Sequence, residues 1–331
     1  MTDVDILIVG AGPVGLFGAY YAGARGLSVA VVDSLGQLGG QVTAMYPEKQ
    51  IYDIAGLPAV SGRELVKGLV AQANQYEPTY LLGHEARELD TDATGRPVVT
   101  TGDGTRITCG AVVITGGIGT FSPRPLPAGE EFLGRGLAYF VPDPSEYAGK
   151  DVIVVGGGDS AVDWCLMLQP LAASVTLVHR REAFRAHAAS VEQVRSSGIR
   201  ILTGTEVTEL SGGATIEKAV LTTKGAGAET VPCQKVVAAL GFTANLGPLR
   251  EWGLELHDNR HLVVDTAMRT NLPGVFSAGD ITDYDGKVRL IAVGFGEVAT
   301  AVNNAAVHLD PDVRLFPGHS TDTPHAVPVP A

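Results

Sequence analysis

Two glycine motifs of equal spacing are the features of this sequence most able to do chemistry. The motif residues are Gly10, Gly12 and Gly15 in the first copy and Gly156, Gly158 and Ala161 in the second. Small residues at this spacing allow a tight turn, a close approach of backbone to a pyrophosphate, and close packing of a helix on a strand. The sequence therefore predicts two dinucleotide sites. Pro13 in the first turn, and Asp159 and Ser160 in the second, are counted among the binding residues.

The residues that end the second strand of each motif differ in charge. Asp33 stands in the first copy, and His179, Arg180 and Arg181 stand at the same distance from the first glycine of the second copy. A carboxylate accepts from a free ribose 2′-hydroxyl, as in FAD or NAD, whereas paired arginines suit the 2′-phosphate of NADP. Two charge-assisted hydrogen bonds of roughly 1.5–3 kcal/mol each favour NADPH over NADH by on the order of a hundredfold, even after solvent screening. Arg185, one helical turn further on, is a third candidate donor.

Length, charge and hydropathy limit the possible functions. The chain has 331 residues, which is enough for two domains that each have a core. Its net charge of −12 argues against nucleic acid as a partner. No apolar run approaches the roughly 18 residues that span a bilayer, and the N-terminal sequence has no basic region or cleavage pattern. We therefore expect a cytoplasmic protein that does not bind a membrane.

The cysteines are too far apart to form a dithiol or a metal site. Cys109, Cys165 and Cys233 form neither a CxxC motif nor a metal-ligand spacing. Isolated cysteines in a cytoplasmic chain are mostly small buried hydrophobes. The sequence thus predicts neither a cysteine nucleophile nor a bound metal.

The elements that position these residues follow an α/β pattern. Residues 5–33 and 151–181 each read as strand, glycine turn, helix and strand, and a helix is predicted to begin after Ser61 as N-cap. Residues 79–113 read as short β segments that end in a buried strand of the first parallel sheet. Proline-rich residues 123–127 read as the linker that leads out of the first domain, and the chain returns through a second linker at about residues 240–242. We predict two Rossmann-like domains, one inserted in the other.

This division assigns one cofactor to each domain. Residues 1–120 and 244–331 form a discontinuous FAD-binding domain, and residues 121–243 form the NADPH-binding domain. A strand near residue 276 delivers Asp280 to its C-terminal end, where cofactors bind in open α/β sheets, and Asp280 is expected to accept from a ribityl hydroxyl. Gly294 and Gly296 are expected to open the last helix, with its N-terminus beneath the flavin.

The segment after Asp33 reads as a long loop, and such loops are usually functional or disordered. Its mixture of tyrosines and apolar residues favours an ordered loop that covers a ligand. Gln41 and Tyr46 are candidates to contact an isoalloxazine ring, Tyr46 by stacking. A surface tyrosine that packs on its own loop is the alternative.

Several segments resemble one protein family along almost the whole chain. They are GAGPVGLFGAYYAGARG, QLGGQVTAMYPEKQIYDIAGLP, VVGGGDSAVDW, HRREAFRAH, SAGDI, KVRLIAVGFGEVATAVNNA and PGHST. Together they resemble the thioredoxin-reductase-like ferredoxin:NADP reductases of bacteria. The resemblance implies a homodimeric flavoprotein that moves a hydride between NADPH and FAD and single electrons to or from ferredoxin or flavodoxin. It implies no side chain acting as a general acid or base.

The resemblance also assigns cofactor contacts. Those to FAD fall on Asp33, Gln41, Tyr46, Ala86, Phe121, Asp280 and Thr321. Tyr46 stacks on one face of the isoalloxazine, and His319, supplied by the partner subunit, stacks on the other. Family members carry Glu where this chain has Asp33, which shortens the reach to the ribose.

Three other functions share parts of this pattern. A thioredoxin reductase requires a dithiol, and residues 132–143, where such enzymes carry CxxC, read FLGRGLAYFVPD. An NADPH-dependent flavin, quinone or ferric reductase would use the same two cofactors, and a nucleotide-sensing module would use the same two folds. For docking of an acidic protein partner, the candidates by charge are Lys49, Arg124, Arg135 and Lys287.

Overall fold

The structure, a computed structural model, describes residues 2–319, without the side chains of residues 120–122 and 244. The predicted FAD contacts of the Phe121 side chain and of Thr321 therefore lie outside the described residues. The first strands are β1 (Thr2–Val9), β2 (Val29–Asp33), β3 (Gln50–Ile51), β4 (Val60–Ser61), β5 (Thr79–Leu82), β6 (Ala86–Thr91), β7 (Pro97–Thr101), β8 (Arg106–Ile114) and β9 (Thr120–Pro123).

The remaining elements follow in chain order. The middle strands are β10 (Leu137–Ala138), β11 (Asp151–Val155), β12 (Ser174–His179), β13 (Arg200–Thr203), β14 (Thr205–Gly212), β15 (Ile216–Thr223), β16 (Gly227–Pro232), β17 (Lys235–Ala238) and β18 (Phe242–Asn245). The last strands are β19 (Leu256–His257), β20 (His261–Val263), β21 (Val275–Ser277) and β22 (Thr282–Asp283). The α-helices are α1 (Pro13–Ala24), α2 (Gly40–Met45), α3 (Gly62–Ala73), α4 (Asp159–Leu168), α5 (Ala188–Ser196) and α6 (Ile291–Leu309).

The chain divides into two compact units. The first unit comprises residues 1–120 and 244–331, and the second comprises residues 121–243. Strands β9 and β18, at the two boundaries, pair with each other. In the part of the chain that is described, no helix is long and apolar enough to cross a membrane.

The first unit is built on a sheet in the order β5-β2-β1-β8-β7-β6, with β21 also paired to β8. Strands β5, β2, β1, β8 and β21 are parallel, and β7 and β6 continue the sheet in antiparallel fashion. The predicted return of the chain to this sheet through β8 is confirmed. The C-terminal ends of β1, β8 and β21 meet at one edge, which positions the first glycine turn beside Asp280.

Alternate residues of this sheet face two hydrophobic cores. Ile6, Ile8 and Val113 face α1 and α6, through Ala19 and Val298 among others. The opposite face packs against residues of the last third of the chain, and its members include Leu7, Val32, Val112, Trp252 and Leu262. A parallel sheet covered on both faces explains why these strands read as continuous apolar runs.

Three helical segments differ in how well the sequence predicted them. Helix α3 begins after Ser61, whose hydroxyl accepts from the Glu64 N–H in a capping box, as predicted. The expected loop after Asp33 instead contains α2. Helix α6 begins at Ile291, so Gly294 and Gly296 lie inside it and do not open it, which corrects the prediction.

The second unit contains a parallel sheet in the order β10-β17-β11-β12-β13. Helices α4 and α5 cover one face through residues such as Val162, Cys165 and Val194. The antiparallel sheet β14-β15-β16 packs on the other face through Val207 and Leu221. The order β11, glycine turn, α4 and β12 repeats the order β1, glycine turn, α1 and β2 of the first unit. The predicted α/β fold class is confirmed.

Candidate functional site

The first glycine turn is packed too closely for side chains at two positions. Gly10 has a φ of +115°, and a Cβ there would lie 2.6 Å from the carbonyl oxygen of Thr115. A Cβ on Gly15 would lie 1.9 Å from the Gly10 carbonyl oxygen. The buried Thr115 hydroxyl donates to the same oxygen at 2.8 Å. The turn therefore requires glycine at both positions, and Thr115 is a supporting residue that sequence reasoning missed.

The space in front of this turn is open. Gly12 is the N-cap of α1, and it has no side chain that could cap the helix. A Cβ placed on Gly12 would meet no atom within 4 Å. Pro13 follows at the first helical position, where the missing N–H costs nothing. The unsatisfied N–H groups of the helix N-terminus therefore face room for an anion such as a pyrophosphate.

A second helix N-terminus approaches the same turn. The Gly39 N–H donates to the Ala11 carbonyl at 2.8 Å, and a Cβ on Gly40 would lie 2.9 Å from the Gly12 Cα. Close contact between α2 and the turn therefore requires glycine at position 40. Gly39 is required for another reason, because its φ is +103° and a Cβ there would lie 1.9 Å from the Thr43 hydroxyl oxygen. The GlyGly pair was the available signal in the sequence, and it was not interpreted as a helix start.

Asp33 ties the turn to the end of β2. Its carboxylate accepts from the Ala11 N–H at 2.6 Å and from the Leu35 N–H at 2.8 Å. Burial raises the pKa of Asp33, and these two N–H groups act in the opposite direction. Each oxygen keeps a lone pair for a further donor, so a ribose hydroxyl remains an acceptable ligand.

Ala86 lies at the start of β6 close to the end of β2. The His84 N–H donates to the Asp33 carbonyl at 3.0 Å, which holds the two segments together. The Ala86 side chain is buried in the core behind the sheet. A ligand at this position would therefore contact the main chain of Ala86 and not its methyl group.

Tyr46 and Asp280, which are distant in sequence, lie within electrostatic reach of each other. Burial raises the pKa of Tyr46, and the carboxylates of Asp280 and Asp53 raise it further. Gln41 lies on α2, and its side-chain nitrogen would be 2.5 Å from a Cβ on Gly117. The structure thus brings Gln41 next to the glycine segment that follows β8, and it brings Tyr46 within electrostatic range of Asp280.

The carboxylate of Asp280 is half-buried and accepts no hydrogen bond within the described residues. Burial raises the pKa of Asp280, while the positive charges of Lys287 and Arg289 oppose that rise. A half-buried acceptor without a donor fits a ligand that carries hydroxyl groups.

A buried charge cluster lies directly behind Asp280. The Glu297 carboxylate accepts from the Gly279 N–H at 2.7 Å, from the Tyr284 hydroxyl at 2.6 Å and from Lys287 Nζ at 2.5 Å. The side chains of Lys287 and Glu297 are only 2% and 5% exposed. Burial, with the bond to Glu297, raises the pKa of Tyr284 to about 12. Lys287 therefore cannot serve as a docking residue on the surface, and that prediction was wrong.

In the second unit, His179 lies beneath the glycine turn. A Cβ on Gly157 would lie 2.2 Å from the imidazole, which stacks on Phe184 with a centroid separation of 5.2 Å. Nε2 of His179 is 3.2 Å from the Ala183 carbonyl oxygen. Burial lowers the pKa of His179, and the nearby arginines lower it further. The histidine therefore contacts the protein's own loop.

The loop after β12 is fixed to the turn by its main chain. The Gly157 carbonyl accepts from the Arg185 N–H at 2.7 Å, and the Asp159 carboxylate accepts from the His187 N–H at 2.9 Å. Gly158 is the N-cap of α4, and no atom lies within 4 Å of a Cβ placed there. Asp159 and Ser160 are exposed in the first turn of α4.

The arginines of this loop remain available to a ligand. Arg180, Arg181 and Arg185 are exposed, and among the described residues no carboxylate pairs with any of them. Their guanidinium groups are carried by a loop whose backbone is anchored on Gly157 and Asp159. This is the arrangement that a phosphate group beside a helix N-terminus requires.

The C-terminal segment is held at the end of α1. Arg25 donates to the carbonyl oxygens of Arg314 and Leu315, each at 2.9 Å, and to the Asn303 side chain. His319 is exposed and meets Phe316 edge to face, with ring centroids 5.1 Å apart.

The three cysteines are buried and free, as predicted. Burial raises the pKa of Cys109 and Cys233 to about 12 and raises that of Cys165 as well. They therefore remain protonated thiols near neutral pH.

Comparisons with known proteins agree with this architecture. A family model described as pyridine nucleotide-disulphide oxidoreductase matches residues 4–305. A ferredoxin–NADP reductase of Salinispora arenicola is 63% identical over 322 residues, which cover 97% of this chain and 99% of that protein. The ferredoxin–NADP reductase of Salinispora tropica is 64% identical over the same shares of the two chains.

Solved structures give the fold. The thioredoxin reductase of T. acidophilum superimposes with a TM-score of 0.75 at 26% identity, covering 94% of this chain and 99% of that chain. The thioredoxin reductase of Lactococcus lactis superimposes with a TM-score of 0.74 at 23% identity, covering 92% and 99%. The chain therefore belongs to the pyridine nucleotide-disulphide oxidoreductase family, and within it to the group of the ferredoxin–NADP reductases.

Proposed function

We propose that the chain is a ferredoxin–NADP reductase that binds FAD in its first unit and NADPH in its second. The observation that carries the cofactor assignment is the contrast between the two strand ends. Asp33 presents a carboxylate at the first site, whereas Arg180 and Arg181 present exposed guanidinium groups at the second, with no carboxylate partner among the residues that the structure describes. A free ribose hydroxyl suits the first site, and a 2′-phosphate suits the second.

The residues of the first unit fit FAD in type and position. Gly12 and Pro13 open the N-terminus of α1 to the pyrophosphate, with Gly10 and Gly15 shaping the turn. Asp33 and the main chain of Ala86 receive the adenosine part, and Asp280 accepts from the ribityl chain. Tyr46 and Gln41 contact the ring system. Bound FAD supplies the redox chemistry, because a flavin takes two electrons from NADPH together and passes them on singly.

The residues of the second unit bind and orient NADPH. Gly156 and Gly158 bring backbone close to the pyrophosphate at the N-terminus of α4. Arg180, Arg181 and Arg185 hold the 2′-phosphate. His179 and Asp159 act through the protein, because their hydrogen bonds fix the loop that carries the arginines.

We further propose a cytoplasmic homodimer in which His319 of one subunit reaches the FAD of the other, with Thr321 as a further FAD contact. The exposed apolar side chains of Val313, Leu315 and Phe316, just before His319, support a tail that packs against another surface. Sedimentation equilibrium of the full chain, and of a chain ending at residue 310, tests this assignment. A monomeric full chain would contradict it.

The partner is ferredoxin, with flavodoxin as a second acceptor of the same kind. Lys49, Arg124 and Arg135 are exposed cations that stay candidates for docking an acidic protein. A thioredoxin reductase is disfavoured, because residues 132–143 contain no dithiol and the three cysteines are buried.

The decisive experiment is anaerobic stopped-flow reduction of the purified yellow protein by NADPH and by NADH, followed by mixing with oxidised ferredoxin or flavodoxin. We expect fast flavin reduction that is selective for NADPH, followed by reduction of the protein partner. Fast flavin reduction without transfer to either partner would instead identify an NADPH-dependent flavin, quinone or ferric reductase.

A further inference from the structure

The function proposed above gives no role to the buried ion pair of Lys287 and Glu297. Glu297 lies in the second turn of α6, and Lys287 lies in the segment between β22 and α6. A buried ion pair of this kind costs desolvation energy and seldom stabilises a fold more than an apolar pair would. Its hydrogen bond to Gly279, the residue before Asp280, points instead to a positional role.

The geometry shows what the pair positions. Glu297 is the acceptor for the N–H of Gly279, whose φ is +85°, and the next residue is Asp280. That bond fixes the peptide group between Ala278 and Gly279, one residue before the backbone that carries the Asp280 side chain. Gly279 and Gly294 both pack against Val14 at the start of α1, so the same contact region borders the first glycine turn.

Lys287 has a second effect through charge. Glu297 alone would disfavour an ionised carboxylate at Asp280, since two like charges would lie close together. The charge of Lys287 favours the ionised form, and its influence on the pKa of Asp280 outranks that of Glu297. The pair thus supplies an acceptor for Gly279 without adding net negative charge behind Asp280.

We propose that Glu297 is a positioning residue for the FAD site: its carboxylate, neutralised by Lys287, holds the Gly279 N–H so that Asp280 points at the ribityl hydroxyls. This inference rests on the proposed function, since it assumes that FAD binds at Asp280. It adds a residue from α6 that contacts no cofactor and acts only through the turn after β21.

Two double variants isolate the hydrogen bond from the charge. K287M/E297Q and K287M/E297L both replace the ion pair with neutral side chains of similar size. Only the glutamine variant retains an oxygen that can accept from Gly279. Apoprotein of each variant is titrated with FAD by fluorescence, and its thermal unfolding is recorded without FAD. K67M, a change at an exposed lysine of α3, serves as the control.

We expect K287M/E297L to bind FAD about 3- to 10-fold more weakly than K287M/E297Q, which is the range for one hydrogen bond between neutral groups. The visible spectrum of the bound flavin should also shift, because the ribityl chain loses its fixed acceptor. Equal FAD affinities in the two double variants would overturn the proposal, whatever their thermal stabilities.

A second variant covers the case in which the leucine form does not fold. Glu297→Asp keeps the charge and the polarity but draws the carboxylate back from Gly279 by one methylene, and it should weaken FAD binding in the same direction. Unchanged FAD affinity in E297D would contradict the proposal. Failure of the wild-type protein to bind FAD would contradict the proposed function itself, which separates the two.

Discussion

At the scale of single residues, the two strand ends differ in how their charges are engaged. The Asp33 carboxylate is desolvated and bound to two backbone N–H groups. The guanidinium groups of Arg180 and Arg181 are exposed and have no carboxylate partner within the described residues. The first charge therefore shapes its own turn, whereas the second pair is free to select a ligand.

Replacing both arginines should change cofactor selectivity. We expect Arg180→Ala with Arg181→Ala to raise the KM for NADPH by on the order of a hundredfold, because two charge-assisted bonds to the 2′-phosphate are lost. The KM for NADH should change by less than about threefold, since NADH has no such phosphate. Initial-rate kinetics with both cofactors measure this, with Arg195→Ala on α5 as the matched control. An equal loss for both cofactors would contradict the 2′-phosphate role.

A second residue-scale prediction concerns the first glycine turn. Gly15→Ala should abolish FAD binding or folding, because its Cβ would stand 1.9 Å from the Gly10 carbonyl oxygen. Gly68→Ala in α3 is the control: a Cβ there meets nothing within 4 Å, so helix propensity should stabilise it by roughly 0.5–1 kcal/mol. FAD content after purification and thermal unfolding give the two readouts. Normal FAD binding by G15A would show that the turn can relax.

Site residues differed in how far the sequence could identify them. Asp33 ends β2, and Asp280 follows Gly279 just after β21. At these positions the local sequence and the rules of parallel sheets predict a cofactor edge. Lys287 and Glu297 could not be paired in this way, because their contact depends on how α6 packs against β21. Lys287 was predicted to lie on the surface, because a lysine without a charged partner is almost always exposed.

At the scale of elements, helix capping explains why the sequence predicted the start of one helix correctly and missed the starts of two others. Ser61 with Glu64 forms a capping box that is visible in the sequence, and α3 begins where that box predicts. Helix α2 has only six residues, too few for an apolar period to show, and begins after Gly39 in the left-handed conformation. Helix α6 has Leu290 at its N-cap, so no capping side chain marked its start.

The tail segment is an element whose attachment can be tested. Arg25→Gln should release residues 311–319, because Arg25 supplies hydrogen bonds to the carbonyl groups of Arg314 and Leu315. We expect faster amide exchange and faster proteolytic cleavage in this segment, measured by mass spectrometry. Arg63→Gln, which removes an exposed pair with Glu48, is the control and should leave the tail unchanged. Identical exchange in R25Q and wild type would mean that other contacts hold the tail.

The turn between β7 and β8 predicts that the stability of the fold depends on pH. Bonds from the Thr101 hydroxyl, the Thr105 N–H and His84 hold the pKa of Asp103 well below its usual range. This stabilisation is present above the unfolded value near 3.8 and is lost as the pH falls toward the folded value.

Asp103→Asn tests that dependence. The variant should be less stable than wild type at pH 7, and the difference should shrink as the pH falls below about 4. Urea unfolding at several pH values measures both. A difference that stays constant with pH would show that the carboxylate charge has no part in it.

At the scale of the whole molecule, the α/β class followed from the repeated order of strand, glycine turn, helix and strand. Continuous apolar runs predicted the parallel strands, because both faces of each sheet are covered. The antiparallel sheet β14-β15-β16 was not foreseen, although alternation of polar and apolar residues and the Gly212–Gly213 pair were signals for it in the sequence. Its place over the second parallel sheet is set by the core it shares with β11 and β12.

The second unit should fold by itself. Residues 121–243 contain a complete parallel sheet with a hydrophobic core on each face. At the two ends of this fragment, β9 pairs with β18. We expect this fragment to unfold cooperatively and to bind 2′,5′-ADP in calorimetry, but not FAD. The same fragment with Arg180→Ala and Arg181→Ala is the control that should not bind. A fragment without a cooperative transition would contradict this prediction.

The discontinuity of the first unit also sets an order of events on the ribosome. Strand β21 and helix α6, which complete its central sheet and cover one face, are made last, after the whole inserted unit. At about 5–20 residues per second, the interval between residues 243 and 309 lasts roughly 3 to 13 s. Throughout that time the β8 edge and the apolar face awaiting α6 stay uncovered while the inserted unit is already complete. Nascent chains of this protein should therefore depend on chaperones most while residues 243–309 are being made, which is the opposite of a protein that folds from its N-terminus onward.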